Sequence, residues 1–263
     1  MRELPKMETK RFSITKIPDA SLKKAFVLPG AFYGDVVSLF AEAGYERAST
    51  IEEANVVVFI GGADINPEIY GQRPIRETQT PSHHRDRVER EAFEFCLKNK
   101  IPMFGICRGA QFLHSQPENG GELWQHVDGH AGPDHDIIDI DDDYLVRATS
   151  LHHQMLIPND KITLIAVTNE TVAKRFLTDS MSIDLTKEGN NAQPEIEIEA
   201  GAYYDTRCFF VQGHPEIGNK EYRAWCFCKF ETFLDQVWEF DNAEEEDRKT
   251  ELEEPIITKQ SLE

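Results

Sequence analysis

No run of about 18 apolar residues occurs in this sequence, so no membrane-spanning helix is expected. The opening stretch, MRELPKMETKRF, lacks the apolar core of a secretory signal. Regular cysteine spacing is missing too. The five cysteines form no framework, which suits a reducing compartment and makes the cytoplasm the expected location. Positive charge is scarce: 28 Lys and Arg face 47 Asp and Glu, for a net charge of -19. Such a balance repels phosphate backbones and argues against a nucleic-acid partner. It leaves a small acidic substrate open, because the local field decides that. No internal repeat is present.

What is there suits one sizeable core: 263 residues, 40% of them hydrophobic. A polar N-terminal arm, 1–21, precedes a domain expected over 22–240. From Glu239 onward there are ten acids and three bases, so 241–263 reads as a solvated, disordered acidic tail. Within the domain, 24–28 reads as a strand closed by Pro29-Gly30, and 35–43 as a helix stopped by Gly44. The apolar runs 55–60 and 101–106 have the continuous character of strands buried on both faces. Helical spacing covers 85–98 and starts again at Gly109. Further strands are expected over 161–167, 193–202 and 209–212, and a closing helix over 222–240. This alternation predicts an α/β fold: a flavodoxin-like three-layer domain with a mostly parallel central sheet.

The most informative segment is Pro102-Met-Phe-Gly-Ile-Cys107-Arg-Gly-Ala-Gln111. It sets a cysteine between a buried strand and a helix, flanked as G-x-C-x-G. Small residues at minus two and plus two permit the sharp turn of a nucleophile elbow. The following helix N-terminus favours thiolate, and the backbone N–H of Arg108 would point at a developing oxyanion. A buried structural cysteine is the alternative, but it gives no reason for strand, paired glycines and helix to coincide. A base is available in Phe209-Phe-Val-Gln-Gly-His214-Pro-Glu216. Residues two apart in extended chain project to one side, so Glu216 can orient His214. Cys107, His214 and Glu216 are therefore the expected catalytic triad.

With these residues in place, the sequence resembles the class I glutamine amidotransferase-like superfamily, nearest its γ-glutamyl-γ-aminobutyrate hydrolase branch. The resemblance rests on Gly61-Gly-Ala-Asp-Ile-Asn-Pro-Glu-Ile-Tyr-Gly71, on Arg85-Asp86 with Glu89, and on the elbow. It rests also on Gly120-Gly-Glu-Leu-Trp-Gln125, on Leu151-His-His-Gln154, and on Gln212-Gly-His-Pro-Glu216. It implies a second oxyanion N–H from Gly62 beside that of Arg108. It implies glutamyl contacts from Gln111, His152, His153 and Gln154, and an Arg108 side chain that helps attract substrate carboxylates. Two departures, His114–Asn119 and Gly213, are expected to border the pocket on the side of the leaving amine. Strict recognition of the glutamyl half and loose recognition of the amine would follow.

The resemblance implies a cysteine amidohydrolase that cleaves a γ-glutamyl amide through a thioester on Cys107. The alternatives are a glutaminase subunit feeding ammonia to a separate synthetase or ligase chain, and a non-enzymatic relative. The complete triad counts against the last. Few residues remain outside the domain for a synthetase, which favours the free-standing hydrolase. The expected partner is a small γ-glutamyl substrate, with a homodimer left open. No cofactor is called for. The nine histidines show no zinc spacing such as H-E-x-x-H, and neighbouring histidines on a strand do not readily share one ion, so no metal is expected. Cys96, Cys208, Cys226 and Cys228 read as structural, and Asp139–Asp143 as a solvated turn.

Overall fold

The computed structural model describes residues 23–187 and 195–253, with the side chains of the last helix described up to Glu239. The elements in order are β1 (Lys24–Val27), α1 (Tyr33–Glu42), β2 (Glu46–Arg47), β3 (Val56–Phe59), α2 (His83–Lys98), β4 (Met103–Ile106) and α3 (Arg108–His114). Then come β5 (Glu122–Trp124), β6 (His126–Val127), β7 (His135–Asp139), β8 (Tyr144–Ala148), β9 (Met155–Ile157), β10 (Thr163–Thr168), β11 (Arg175–Leu177) and β12 (Ser182–Asp184). The chain closes with β13 (Ile198–Tyr203), β14 (Cys208–Val211) and α4 (Lys220–Glu253).

Nine strands form the central sheet, in the order β2-β1-β3-β4-β14-β13-β10-β7-β8. The first five are mutually parallel. Their alternate residues serve two cores. Val56, Val58, Phe104, Ile106, Phe209 and Val211 face α1 and α4, while Val57, Phe59, Met103, Cys208 and Phe210 face α2 and α3. This is why the β3 and β4 sequences are apolar throughout: in a sheet covered on both faces, each residue lands in one core or the other. The α/β reading holds. From β14 onward the sheet runs antiparallel. The links β13–β14 and β7–β8 are tight hairpins, and so short a connection joins only antiparallel neighbours.

The sequence patterning misses the short strands β5, β6, β9, β11 and β12, which make two small sheets, β12-β11-β6 and β5-β9, around Trp124, Val127, Met155 and Phe176. Helix α4 runs for 34 residues, past the boundary that composition sets at 240. Glu, Lys and Arg are good helix formers, so a change in charge alone does not end a helix. The arm 1–21 and the tail end 254–263 lie outside the described residues. Among the described residues no helix is long and apolar enough to cross a membrane.

Candidate active site

Cys107 occupies the turn between β4 and α3, with φ 52° and ψ -110°. That backbone is one an L-residue rarely adopts, so the turn is strained. The flanking glycines make it possible. A Cβ on Gly105 would lie 2.8 Å from the Ala110 nitrogen, and one on Gly109 would lie 2.0 Å from the Phe59 carbonyl oxygen. The Cys107 N–H donates to Val211 O at 2.9 Å, continuing the pairing of β4 with β14. Because β3, β4 and β14 are parallel neighbours, their C-terminal ends deliver Gly61-Gly62, Cys107 and His214 to one edge of the sheet.

His214 is buried. Its backbone N–H donates to Thr149 Oγ1 at 2.6 Å, and its Nδ1 lies 2.6 Å from Glu216 Oε1. The Phe32 ring stands edge-on to the imidazole, centroids 5.5 Å apart. Burial alone pulls the imidazole pKa down. Hydrogen bonds to Cys107 and Glu216, and the charges those groups carry, more than offset it and raise the pKa from 6.5 to about 10. The arrangement favours an imidazolium between two anion-capable partners.

The Gly61–Ala63 loop is held from behind by charge. Arg85 donates to Ile60 O at 2.7 Å and to Gly61 O at 2.9 Å, and its Nε bonds Glu89 at 2.8 Å. Arg108 Nε donates to Ala63 O at 2.7 Å, while its guanidinium pairs with Asp86 and Glu89. The Arg108 side chain is 1% exposed and wholly engaged in this cluster. It does not reach toward substrate, which corrects the expectation that it attracts carboxylates; two buried acids claim it first. Its backbone N–H opens α3, where helix geometry leaves the first donors without an intrahelical acceptor. Gly62 has φ 152°, and a Cβ there would lie 2.0 Å from Arg85 Nη1.

A cavity of about 130 Å³ opens at Cys107, lined by Gly62, Asp64, Gln79, Gln111, Leu151, His152, His153 and Gln154. The residues expected around a glutamyl group are therefore brought together. His153 Nε2 bonds Asp64 Oδ1 across the cavity at 2.9 Å, and Asp64 also accepts from Gln79 N at 2.8 Å. Among the described residues neither amide atom of Gln154 meets a hydrogen-bond partner, and Gln111 Nε2 makes a long 3.4 Å contact to Gln154 O. His152 turns the other way, its Nδ1 on Gln154 O at 2.9 Å. A larger groove, about 380 Å³, lies between Asn66, Arg90 and Phe112, apart from the cysteine and its histidine.

Asp64, Thr149 and Phe32 touch the site without having been singled out by sequence; Asp64 alone had a signal, inside the Gly61–Gly71 block. Two other expectations are corrected. His114–Asn119 does not border the cavity. It packs at the far end of α3, where His114 Nδ1 bonds Tyr203 OH at 2.7 Å and Thr206 Oγ1 donates to Asn119 Oδ1 at 2.6 Å. Gly213 faces Tyr222 and Thr149, with no room for a side chain. Neither departure can set amine preference directly. Asp139 is not solvated: it is buried and accepts from Trp225 Nε1 and Lys229 Nζ, both at 2.8 Å. Cys96, Cys208 and Cys226 are buried and free.

A family model described as Peptidase C26 matches residues 30–216. A Mycobacterium tuberculosis protein provisionally named a glutamine amidotransferase is 36% identical over 85 residues, 31% of this chain and 27% of that protein. A γ-glutamyl-CDP-amidate hydrolase of Campylobacter jejuni is 53% identical over 32 residues, 12% of this chain and 16% of that protein. The chain spans at most 37% of the length of such curated relatives. Among solved structures, a protein of Thermoplasma acidophilum, provisionally described as one chain of a GMP synthase, superposes with TM-score 0.52. The match covers 84% of this chain and 98% of that one at 14% identity, which is a likeness of fold.

Proposed function

The chain belongs to the Peptidase C26 family, within the glutamine amidotransferase-like superfamily, and from that membership we propose a cysteine amidohydrolase that cleaves γ-glutamyl amides. The observation that carries the reading is the strained Cys107 turn with the His214–Glu216 pair beside it, facing a cavity with polar groups left to satisfy.

The steps follow from chemistry. His214 and Cys107 share a proton, and the thiolate attacks the γ-carbonyl carbon. The carbonyl oxygen becomes an oxyanion, and the N–H groups of Gly62 and Arg108 are the proposed donors to it. Collapse breaks the C–N bond. His214 gives its proton to the departing amine, leaving a γ-glutamyl thioester. Water, deprotonated by His214, then attacks the thioester and releases glutamate and the thiol. Glu216 fixes the tautomer and stabilises the imidazolium throughout. Gln111, His153 with Asp64, and Gln154 are the proposed contacts for the glutamyl half, because they present polar atoms to the cavity.

The same half-reaction serves a glutaminase that works inside a complex, and the fold likeness to a chain described as part of a synthase keeps that reading in view. One experiment addresses both. The purified chain is given glutamine and a panel of γ-glutamyl amines, and glutamate release is measured beside Cys107→Ala. Turnover of amines by the wild type alone, abolished in the variant, supports the hydrolase. Turnover of glutamine only, and only with a partner chain present, supports the glutaminase. Activity undiminished in Cys107→Ala overturns the mechanism.

A further inference from the structure

Behind the Leu151–Gln154 wall, three histidines and one glutamate meet in the interior. His130 precedes the isolated bridge between Ala131 and Leu151, His135 opens β7, His152 follows the bridge, and Glu199 lies on β13. Glu199 Oε1 is 2.8 Å from His135 Nε2, 3.5 Å from His130 Nδ1 and 4.0 Å from His152 Nε2. The His130 ring lies 4.6 Å from that of His152 and 4.9 Å from that of His135, centroid to centroid.

The outer hydrogen bonds decide which ring nitrogens carry protons. His130 Nε2 donates to Glu197 Oε2 at 2.6 Å, and Glu197 is itself held by the N–H groups of Val172 and Ala173. His152 Nδ1 donates to the Gln154 carbonyl at 2.9 Å. With the protons used outward, His130 Nδ1 and His152 Nε2 point lone pairs inward, at a carboxylate. Among the described residues both nitrogens, His135 Nδ1 and Glu199 Oε2 are buried without a hydrogen-bond partner. Two lone pairs facing a buried carboxylate are unfavourable unless a cation stands between them, and His135 Nε2, which donates to Glu199 Oε1 at 2.8 Å, gives up that proton when the metal enters.

We propose that His130, His135 and Glu199, whose ligand atoms lie within 4.8 Å of one another, bind one zinc ion, and that His152 Nε2, now 4.0 Å from Glu199 Oε1, moves in as the fourth ligand. Three imidazoles and a carboxylate suit zinc and its tetrahedral preference; magnesium or calcium would need an oxygen shell. Zinc bonds of 2.0–2.1 Å place tetrahedral ligand atoms about 3.3–3.4 Å apart, and the three distances from Glu199 Oε1 straddle that value. The Glu197–His130 pair and the Gln154 carbonyl on His152 are the outer hydrogen bonds a zinc-bound histidine ordinarily makes. Four protein ligands close the coordination shell, so the ion holds structure and activates no water. It ties residues 130–135 and 152 to β13, and through His152 it stiffens the wall of the Cys107 cavity. The proposal does not depend on Cys107 being a nucleophile.

The test uses the full chain, free of any affinity tag, stripped with a chelator, exposed to zinc chloride and passed through a desalting column before elemental analysis. About one zinc per chain is expected. His135→Ala and Glu199→Gln lose it, His153→Ala and Cys107→Ala keep it, and Glu197→Gln weakens affinity about 10- to 100-fold. Cobalt in place of zinc, bound to the wild type, should give strong visible bands of a tetrahedral site with no thiolate charge-transfer band, a readout that needs no variant to fold. No retained metal overturns the proposal. So does zinc kept by both His135→Ala and Glu199→Gln, weak six-coordinate cobalt bands, or a thiolate band, which would move the ion to Cys107.

Discussion

His214 Nδ1 and Glu216 Oε1 lie 2.6 Å apart in a region closed to solvent, and among the described residues no second donor reaches the other carboxylate oxygen. The carboxylate is thus committed to the imidazole. Glu216→Gln keeps the shape but offers an amide in place of the anion, which no longer favours the tautomer or the charged ring. A fall in kcat of about 10²–10⁴-fold with little change in KM is expected from steady-state glutamate release. A loss under tenfold would mean that Glu216 only packs.

The raised pKa of His214 carries a stability signature. The folded state holds its proton up to about pH 10, whereas the unfolded imidazole releases it near 6.5. Between those values the native state binds more protons, so this group's stabilisation is complete below 6.5 and is lost as pH rises through about 10. Urea midpoints at pH 6.5, 8 and 9.5 should decline for this reason, and the decline should shrink in Cys107→Ala, where one of the two anion-capable partners is gone. Identical slopes in the two proteins would contradict the coupling.

Arg85 spans Ile60 O and Gly61 O with two separate nitrogens. Lysine supplies charge but not the fork, so Arg85→Lys leaves a buried carbonyl without a donor and lets the Gly62 loop shift. Activity should drop about 10- to 100-fold, in kcat more than in KM, since an oxyanion donor acts in the transition state. Kinetics paired with a thermal melt separate this from general unfolding: a variant that melts as the wild type does and keeps full kcat would remove Arg85 from the positioning role.

Acyl length is the remaining lever. A β-aspartyl amide is one methylene shorter, so seating its charged end on Gln111, Gln154 and the His153–Asp64 pair draws the carbonyl away from Cys107. That misplacement should lower kcat/KM by about a hundredfold against the γ-glutamyl amide of the same amine. Equal rates would show that the cavity does not grip the acyl end as proposed.

The central strands and the triad candidates were legible because each is a local pattern. Val56–Phe59 and Met103–Ile106 announce burial on both faces, and the glycines around Cys107 announce a turn. The direction of the β13–β14 and β7–β8 pairings was not legible, since periodicity says nothing of orientation. The His130, His135, His152 and Glu199 cluster was hidden for another reason. Its members are spread over 70 positions and meet only through sheet pairing, so no spacing rule finds them. The resemblance gives His152 and His153 one role; both line the Cys107 cavity, while their ring nitrogens lie toward Glu199 and Asp64 respectively, a division that sequence does not show. The His114–Asn119 segment departs from the family pattern close to Cys107 in sequence, but a helix of two turns carries it to the other end of the sheet.

The register of β14 against β4 sets Val211 opposite Ile106, 105 positions later in the chain. During synthesis, β4 therefore leaves the ribosome long before the strand that covers its free edge. Until Cys208–Val211 emerges, the apolar segment Met103–Ile106 exposes unpaired backbone groups, the situation in which one nascent chain pairs with another. Genes cut short before residue 208 should yield insoluble product rather than a smaller folded protein.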